Sequence, residues 1–336
     1  MKQRFMWSTG VLVLALIGGC GVGTTSNNQH PGPRPSTFQT RSTSPQWPVV
    51  RVQSLPTLPV HLLGNSLAAN AQGQVFSVGG YTGAVSVTNV FQITPNVQNI
   101  ANLPVPSHDA AAGFLGPDLY VFGGGQSWSY DTIIRVRPGA AEIVGSLPNR
   151  LSDAVSIPYV YNGQRGLLLI GGYDGKIFNR VAKFVSVQGR HLHWQTLFTL
   201  PEGLRYPAVA STNGKVFIAG GQTASGGLSD DVYVWSSGSN EVRHLATLPS
   251  ALDKAAAFAA GSMSIVIAGG NRADGQPTDE ILAMNVKTGA IKQVGKLPSA
   301  LADMGYTQVG SVGYIAGGVL SSGQTNSEVW KVLMGE

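Results

Sequence analysis

Val216-Phe217-Ile218-Ala219-Gly220-Gly221 is one of six places where a run of apolar residues ends in a glycine pair. The others are Val75–Val78 before Gly79-Gly80, Leu119–Phe122 before Gly123-Gly124, Leu167–Ile170 before Gly171-Gly172, Ile265–Ala268 before Gly269-Gly270, and Tyr314–Ala316 before Gly317-Gly318. Successive first glycines lie 44, 48, 49, 49 and 48 residues apart. Spacing this even marks an internal structural repeat.

Each unit carries the same parts around its glycines. A turn signal precedes the apolar run, as in Gln72-Gly73, Asn162-Gly163 and Asn213-Gly214. A polar loop follows the glycines and leads to a third strand opened by Asn89, Asp131, Arg180, Asp231, Glu280 or Glu328. A fourth strand then runs into a Leu-Pro pair such as Leu103-Pro104 or Leu248-Pro249. Four antiparallel strands in about 48 residues cannot bury both faces alone. Packing the units face to face around an axis solves this and protects the sheet edges. The reading is therefore all-β: a six-bladed β-propeller. The last unit ends at Glu336 without a fourth strand, whereas Val49–Gln53 and Leu55–Pro59 read like a fourth strand placed at the start. The ring is expected to close by that N-terminal strand pairing into the last blade.

The apolar run with Gly-Gly, the polar residue opening the third strand and the period near 48 resemble kelch repeats, which form six- or seven-bladed propellers. The resemblance covers nearly all of residues 49–332. It departs from the kelch pattern at the tryptophan usual in or near the fourth strand, where Trp194 is the one evident candidate.

The 44 glycines, 19 prolines and 12% charged residues suit short strands joined by tight turns. The formal charge of +5 is not a nucleic-acid signal. Residues 1–46 carry Lys2, Arg4, Arg34 and Arg41 and no acid, which leaves 18 basic and 17 acidic side chains for residues 47–336. With no basic stripe or cluster, nucleic acid is excluded as a partner.

Lys2 and Arg4 precede the apolar stretch Val11–Ile17, which is short for a membrane helix. Ile17-Gly18-Gly19-Cys20 resembles a bacterial lipobox, in which the peptide is cut before a cysteine that becomes lipidated. The alternative is an ordinary buried or free cysteine. The chain thus divides into a lipoprotein signal peptide over 1–19, a lipid-anchored linker over 20–46 and the propeller over 47–336. The expected location is the bacterial cell envelope, outside the cytoplasm, with the lipid on Cys20 as the membrane contact. Cys20 is the single cysteine, so no intrachain disulfide can form.

Five residues beyond the successive prolines stand Gly64, Asp109, Asp153, Tyr206, Lys254 and Asp303, and in a sixfold ring they converge near the axis. With His108, Arg205 and Asp253 from the preceding positions they form a candidate ligand-binding pocket. Its rim would come from Tyr81, Trp128, Tyr130, Tyr173, Asp174, Asn271, Arg272 and Asp274. Arg205 is the expected anchor for a carboxylate, since a guanidinium can offer two charge-assisted bonds. The competing reading makes these groups turn caps and ion pairs that hold the blades together. His191 and His193 lie two apart on a strand without a third ligand nearby, so no metal site and no cofactor is expected. Galactose oxidase has a kelch-type propeller, but its copper chemistry needs a cysteine-modified tyrosine that this chain cannot supply.

Three functional classes stay open: a binding module for a glycan or protein, a sugar-processing enzyme, and an envelope scaffold. The absence of a nucleophile and base arrangement favours the first. Exported kelch proteins that act as sialic-acid mutarotases are similar in domain size and signal peptide, which implies an acid/base pair drawn from Asp109, Asp153, Asp253 and Arg205. A monomeric propeller is expected.

Overall fold

The computed structural model describes residues 46–335. The expected signal peptide, Cys20 and all of the linker but Gln46 lie outside them. Six four-stranded antiparallel sheets follow one another along the chain. The first has strands Ser66–Ala69, Val75–Val78, Asn89–Gln92 and Gln98–Asn102. The next four blades repeat this order within residues 111–146, 152–199, 208–247 and 256–296. The sixth takes Gly305–Val309, Val312–Ala316 and Val329–Gly335 from the C-terminal end and Val49–Leu55 from the N-terminal end. Seven residue pairs join those last two strands, from Val49 opposite Gly335 to Leu55 opposite Val329.

The core is divided among the blade interfaces. Buried apolar side chains fall into six clusters, one for each pair of neighbouring blades. The sixth joins Tyr314, Ala316 and Val329 of the last blade to Leu67, Val75 and Phe91 of the first. Alternation explains this arrangement: successive side chains of a strand point to opposite faces, and both faces of a blade meet a neighbour. The inner strands consequently read as continuous apolar runs. Trp235 and Trp330, both 1% exposed, are the largest fully buried side chains. They stand in third strands, whereas Trp194 of a fourth strand is partly buried, with its ring edge-on to Phe122 at 5.5 Å.

The glycine pairs serve as clasps between blades. In five units the second glycine donates its N–H to a carbonyl of the chain entering the next blade, as in Gly124 to Leu151 at 2.8 Å and Gly221 to Leu252 at 2.7 Å. The chain therefore approaches too closely for a side chain on the first glycine.

Candidate functional site

The six convergent positions are tied to one another by backbone. The N–H of Asp109 donates to Gly64 O (2.7 Å), Asp153 to Asp109 (2.9 Å), Tyr206 to Asp153 (3.0 Å), Lys254 to Tyr206 (3.1 Å), Asp303 to Lys254 (3.1 Å) and Gly64 to Asp303 (2.9 Å). These bonds form a closed circle with one member per blade. To donate on one side and accept on the other, each residue takes left-handed backbone angles, with φ between 52° and 62° at all six. The residue before each ring member pairs with the residue just after a glycine pair: Leu63 with Tyr81, His108 with Gly125, Ser152 with Tyr173, Arg205 with Gln222, Asp253 with Asn271, and Ala302 with Val319. The loop after each second strand is thereby locked beside the ring.

The ring side chains connect across blades. Arg205 Nε donates to Asp153 Oδ2 at 2.6 Å, and its Nη2 reaches the Tyr206 hydroxyl at 3.2 Å. That hydroxyl donates to Asp109 Oδ2 at 3.2 Å. Lys254 Nζ is paired with Asp303. Two cations thus balance two carboxylates. The third carboxyl, on Asp109, is held well above its ordinary range, by burial first and then by the charges of Asp303 and Asp153. It keeps its proton to a higher pH than an exposed aspartate does.

Neighbouring groups are tuned by the same surroundings. Burial pushes the Tyr206 hydroxyl well above its usual value, reinforced by Asp109 and Asp153. Burial pulls Lys254 down, but Asp303 and Asp109 outweigh it and the net shift is upward. His108 is lowered, mainly by burial, and its Nδ1 shares a 2.8 Å hydrogen bond with the Ser86 hydroxyl. Its Nε2 stands 3.7 Å from Asp109 Oδ2. Burial raises Asp253, whose Oδ1 has no hydrogen-bond partner among the described residues.

Arg205 also lies in an aromatic box. Its guanidinium carbon is 4.8 Å from the Tyr173 ring centre, 5.1 Å from Tyr206 and 5.4 Å from Phe178. Phe178, which packs on this guanidinium, was not among the residues expected from the sequence. It sits in the loop after the second strand of its blade, and only a register for that loop would have placed it at the ring. Lys254 Nζ lies over the other ring neighbour, 4.4 Å from the Tyr206 centre.

Gly64, Asp109, Asp153, Tyr206, Lys254 and Asp303 line an axial cavity of about 90 Å³ together with the first residues of the inner strands. Tyr306 spans this axial space from the sixth blade, its hydroxyl accepting the Val209 N–H of the fourth at 2.9 Å. Gly64 makes room for the acid next to it in the ring: a Cβ there would meet Asp109 Oδ1 at 2.5 Å. The remaining expected residues lie outside the cavity. Arg205, His108 and Asp253 flank the ring without lining the cavity. Arg272 is engaged by Glu280 at 3.1 Å, and Trp128 projects from its loop at 62% exposure. His191 and His193 are on the outermost strand of the third blade, away from the ring. Among the described residues, no three His, Cys, Asp or Glu side chains are grouped to hold a metal ion.

Comparison with known proteins agrees with this architecture. A family model described as the Kelch motif matches residues 203–249. A sequence comparison with curated proteins gives no match. Among 563 chains of solved structures that match the fold, one described as "Structure of YjhT" superimposes with a TM-score of 0.70 at 17% identity. The match covers 84% of this chain and 99% of that one. A likeness at that identity speaks for the fold, and the activity has to be argued from the site.

Proposed function

We propose that this six-bladed kelch-type propeller is a binding module that takes a polyhydroxylated ligand, of the glycan class, at the axial ring, with Arg205 as its principal anchor. The observation that carries the reading is the backbone of the ring. Glycine would serve at every position, as it does at Gly64. Five members instead carry polar side chains at φ 52–62°, an arrangement that costs an L-residue about 1–2 kcal/mol, less for aspartate. Strain of this kind is retained where the side chains are used. The group presents hydroxyl, carboxyl, ammonium and guanidinium functions beside aromatic faces, the mixture that recognises sugars and sugar acids.

Pairing with Asp153 leaves three of the five guanidinium N–H groups of Arg205 free of that bond and of the Tyr206 contact. The rival role is structural, as a counter-charge for the ring carboxylates. Calorimetric titration with sialic acid and with N-acetylglucosamine separates the two. Arg205→Ala should stay folded and lose about 2–5 kcal/mol of affinity for the ligand that wild type binds. A well-folded variant with full affinity refutes the anchor role, and a fall in melting temperature without loss of affinity per folded molecule assigns Arg205 to structure.

A second reading rests on one further observation. Asp109, whose carboxyl burial holds well above its ordinary range, stands 3.7 Å from His108, whose imidazole burial pulls down, so a group with raised proton affinity adjoins one with lowered proton affinity. Such a pair could protonate a sugar ring oxygen and accept the anomeric hydroxyl proton, which is mutarotation. In the same samples NMR exchange spectroscopy decides it. Catalysed anomer exchange that disappears in Asp109→Asn supports the reading, and unaccelerated exchange in wild type ends it.

The Lys2–Cys20 segment supports an envelope location with a lipid on Cys20. Labelled palmitate should enter the wild-type protein and be absent from Cys20→Ser, and unlabelled wild type would contradict the anchor.

A further inference from the structure

A second cavity, of about 640 Å³, opens between the second and third blades, far larger than the axial one. It coincides with a local break in the repeat. In the other five blades the second and third strands stay paired up to the residue before the glycines: Val78, Phe122, Ala219, Ala268 and Ala316. In the third blade pairing stops at Leu169, and Ile170 is left without a partner on the third strand. The third strand diverges there, and the space is lined by Leu151, Leu169, Phe178 and Trp194.

Three cations break the repeat pattern at the same place. Arg180, whose carbonyl accepts the Leu200 N–H, stands where the other units have Thr88, Asp131, Asp230, Asp279 and Ser327. Arg150 is three residues beyond Leu147, where the other units have His61, Pro106, Gly203, Ala251 and Ala300. Lys183 lies in the diverging strand, and all three line the cavity. None of them is within ion-pair distance of a carboxylate among the described residues. Arg180 uses its Nε on the Leu200 carbonyl at 3.0 Å. The one acid in the lining, Asp174, turns Oδ1 to the N–H groups of Lys176 and Ile177 at 2.8 and 2.7 Å.

From this geometry we infer a second binding site, for a small amphipathic organic anion whose apolar body fills the cleft and whose carboxylate- or sulfonate-class head meets Arg150, Arg180 and Lys183. The volume suits one such molecule. An apolar wall with unpaired cations at its edge favours an anion over a neutral compound of the same shape. Residues 1–45 contain no acidic side chain, so that segment of the chain cannot supply the charge.

The test compares two fluorescent probes that share an aromatic body: 8-anilinonaphthalene-1-sulfonate, which is anionic, and N-phenyl-1-naphthylamine, which is neutral. The sulfonate should bind at one site per chain and about tenfold or more tighter than the amine. Arg180→Gln with Lys183→Gln should remove that advantage and leave amine binding unchanged. Lys183→Gln alone, which removes no hydrogen bond or ion pair seen among the described residues, should give a smaller loss in the same direction if the double variant fails to fold. Sulfonate binding should persist in Asp109→Asn, which alters the axial ring. Equal affinity for both probes, an unchanged sulfonate affinity in the folded variants, or its loss in Asp109→Asn would each overturn the inference.

Discussion

A chain lacking residues 47–59 should lose a large part of its stability, melting roughly 10 °C or more below the intact domain. Those residues hold the outer strand of the sixth blade, joined to Val329–Gly335 through seven residue pairs. Leu58 is 3% exposed in the interface between the sixth and first blades, and Trp47, Val50 and Val52 pack against the cluster between the fifth and sixth. Full burial of an aliphatic side chain contributes about 1.5–3 kcal/mol. Leu58 meets that condition and the partly buried Trp47, Val50 and Val52 add smaller shares, so with the lost strand pairing the segment accounts for several kcal/mol of a total that is typically about 5–15. The strand left behind would expose its unpaired edge, an invitation to aggregation. Thermal melts of the two proteins, with light scattering, check this, and a difference within about 2 °C would contradict it.

Gly123→Ala should destabilise the domain by about 3 kcal/mol or more, whereas Gly163→Ala should cost about 1. Both glycines have positive φ, +64° and +76°, so both substitutions carry the left-handed strain of an L-residue. They differ in what the new methyl meets. At Gly123 it would lie 1.9 Å from the Leu151 carbonyl oxygen, the acceptor that Gly124 uses to clasp the third blade. At Gly163 nothing lies within 4 Å. Overpacking and a displaced hydrogen bond therefore add to the strain at one site alone. Denaturant melts resolve such a gap, and equal losses in the two variants would show that the glycine pairs act through φ and not through contact between blades.

Much of the architecture was legible because each blade repeats the same physical solution. An apolar run buried on both faces, ended by glycines where the next blade approaches, leaves a mark in every unit. The ring positions were legible for the same reason, since a fixed offset from each Leu-Pro pair becomes convergence at an axis. The state of the ring side chains was not. Arg205 and Asp153 are 52 residues apart and Lys254 and Asp303 are 49, about one blade in each case. Offsets of one repeat tell which residues are neighbours without telling which of several adjacent charges pair. The circle of backbone bonds was equally hidden, because it depends on φ and leaves Asp, Tyr and Lys in a conformation that sequence rules assign to glycine. The side cavity arises from pairing that stops one residue early at Leu169, in an apolar run indistinguishable from its five counterparts. Arg180 was visible as the one cation among the residues opening third strands, and its cavity was not.

The most direct test of the proposed function is a crystal structure of residues 46–336 grown with sialic acid and, separately, with N-acetylglucosamine. A sugar bound at the axial ring, with oxygens within hydrogen-bonding distance of Arg205 and its neighbours Tyr206 or Lys254, is the predicted result. A sugar seated only on the outer strands of the blades, or a ring unchanged and empty at saturating concentrations of both, would contradict it.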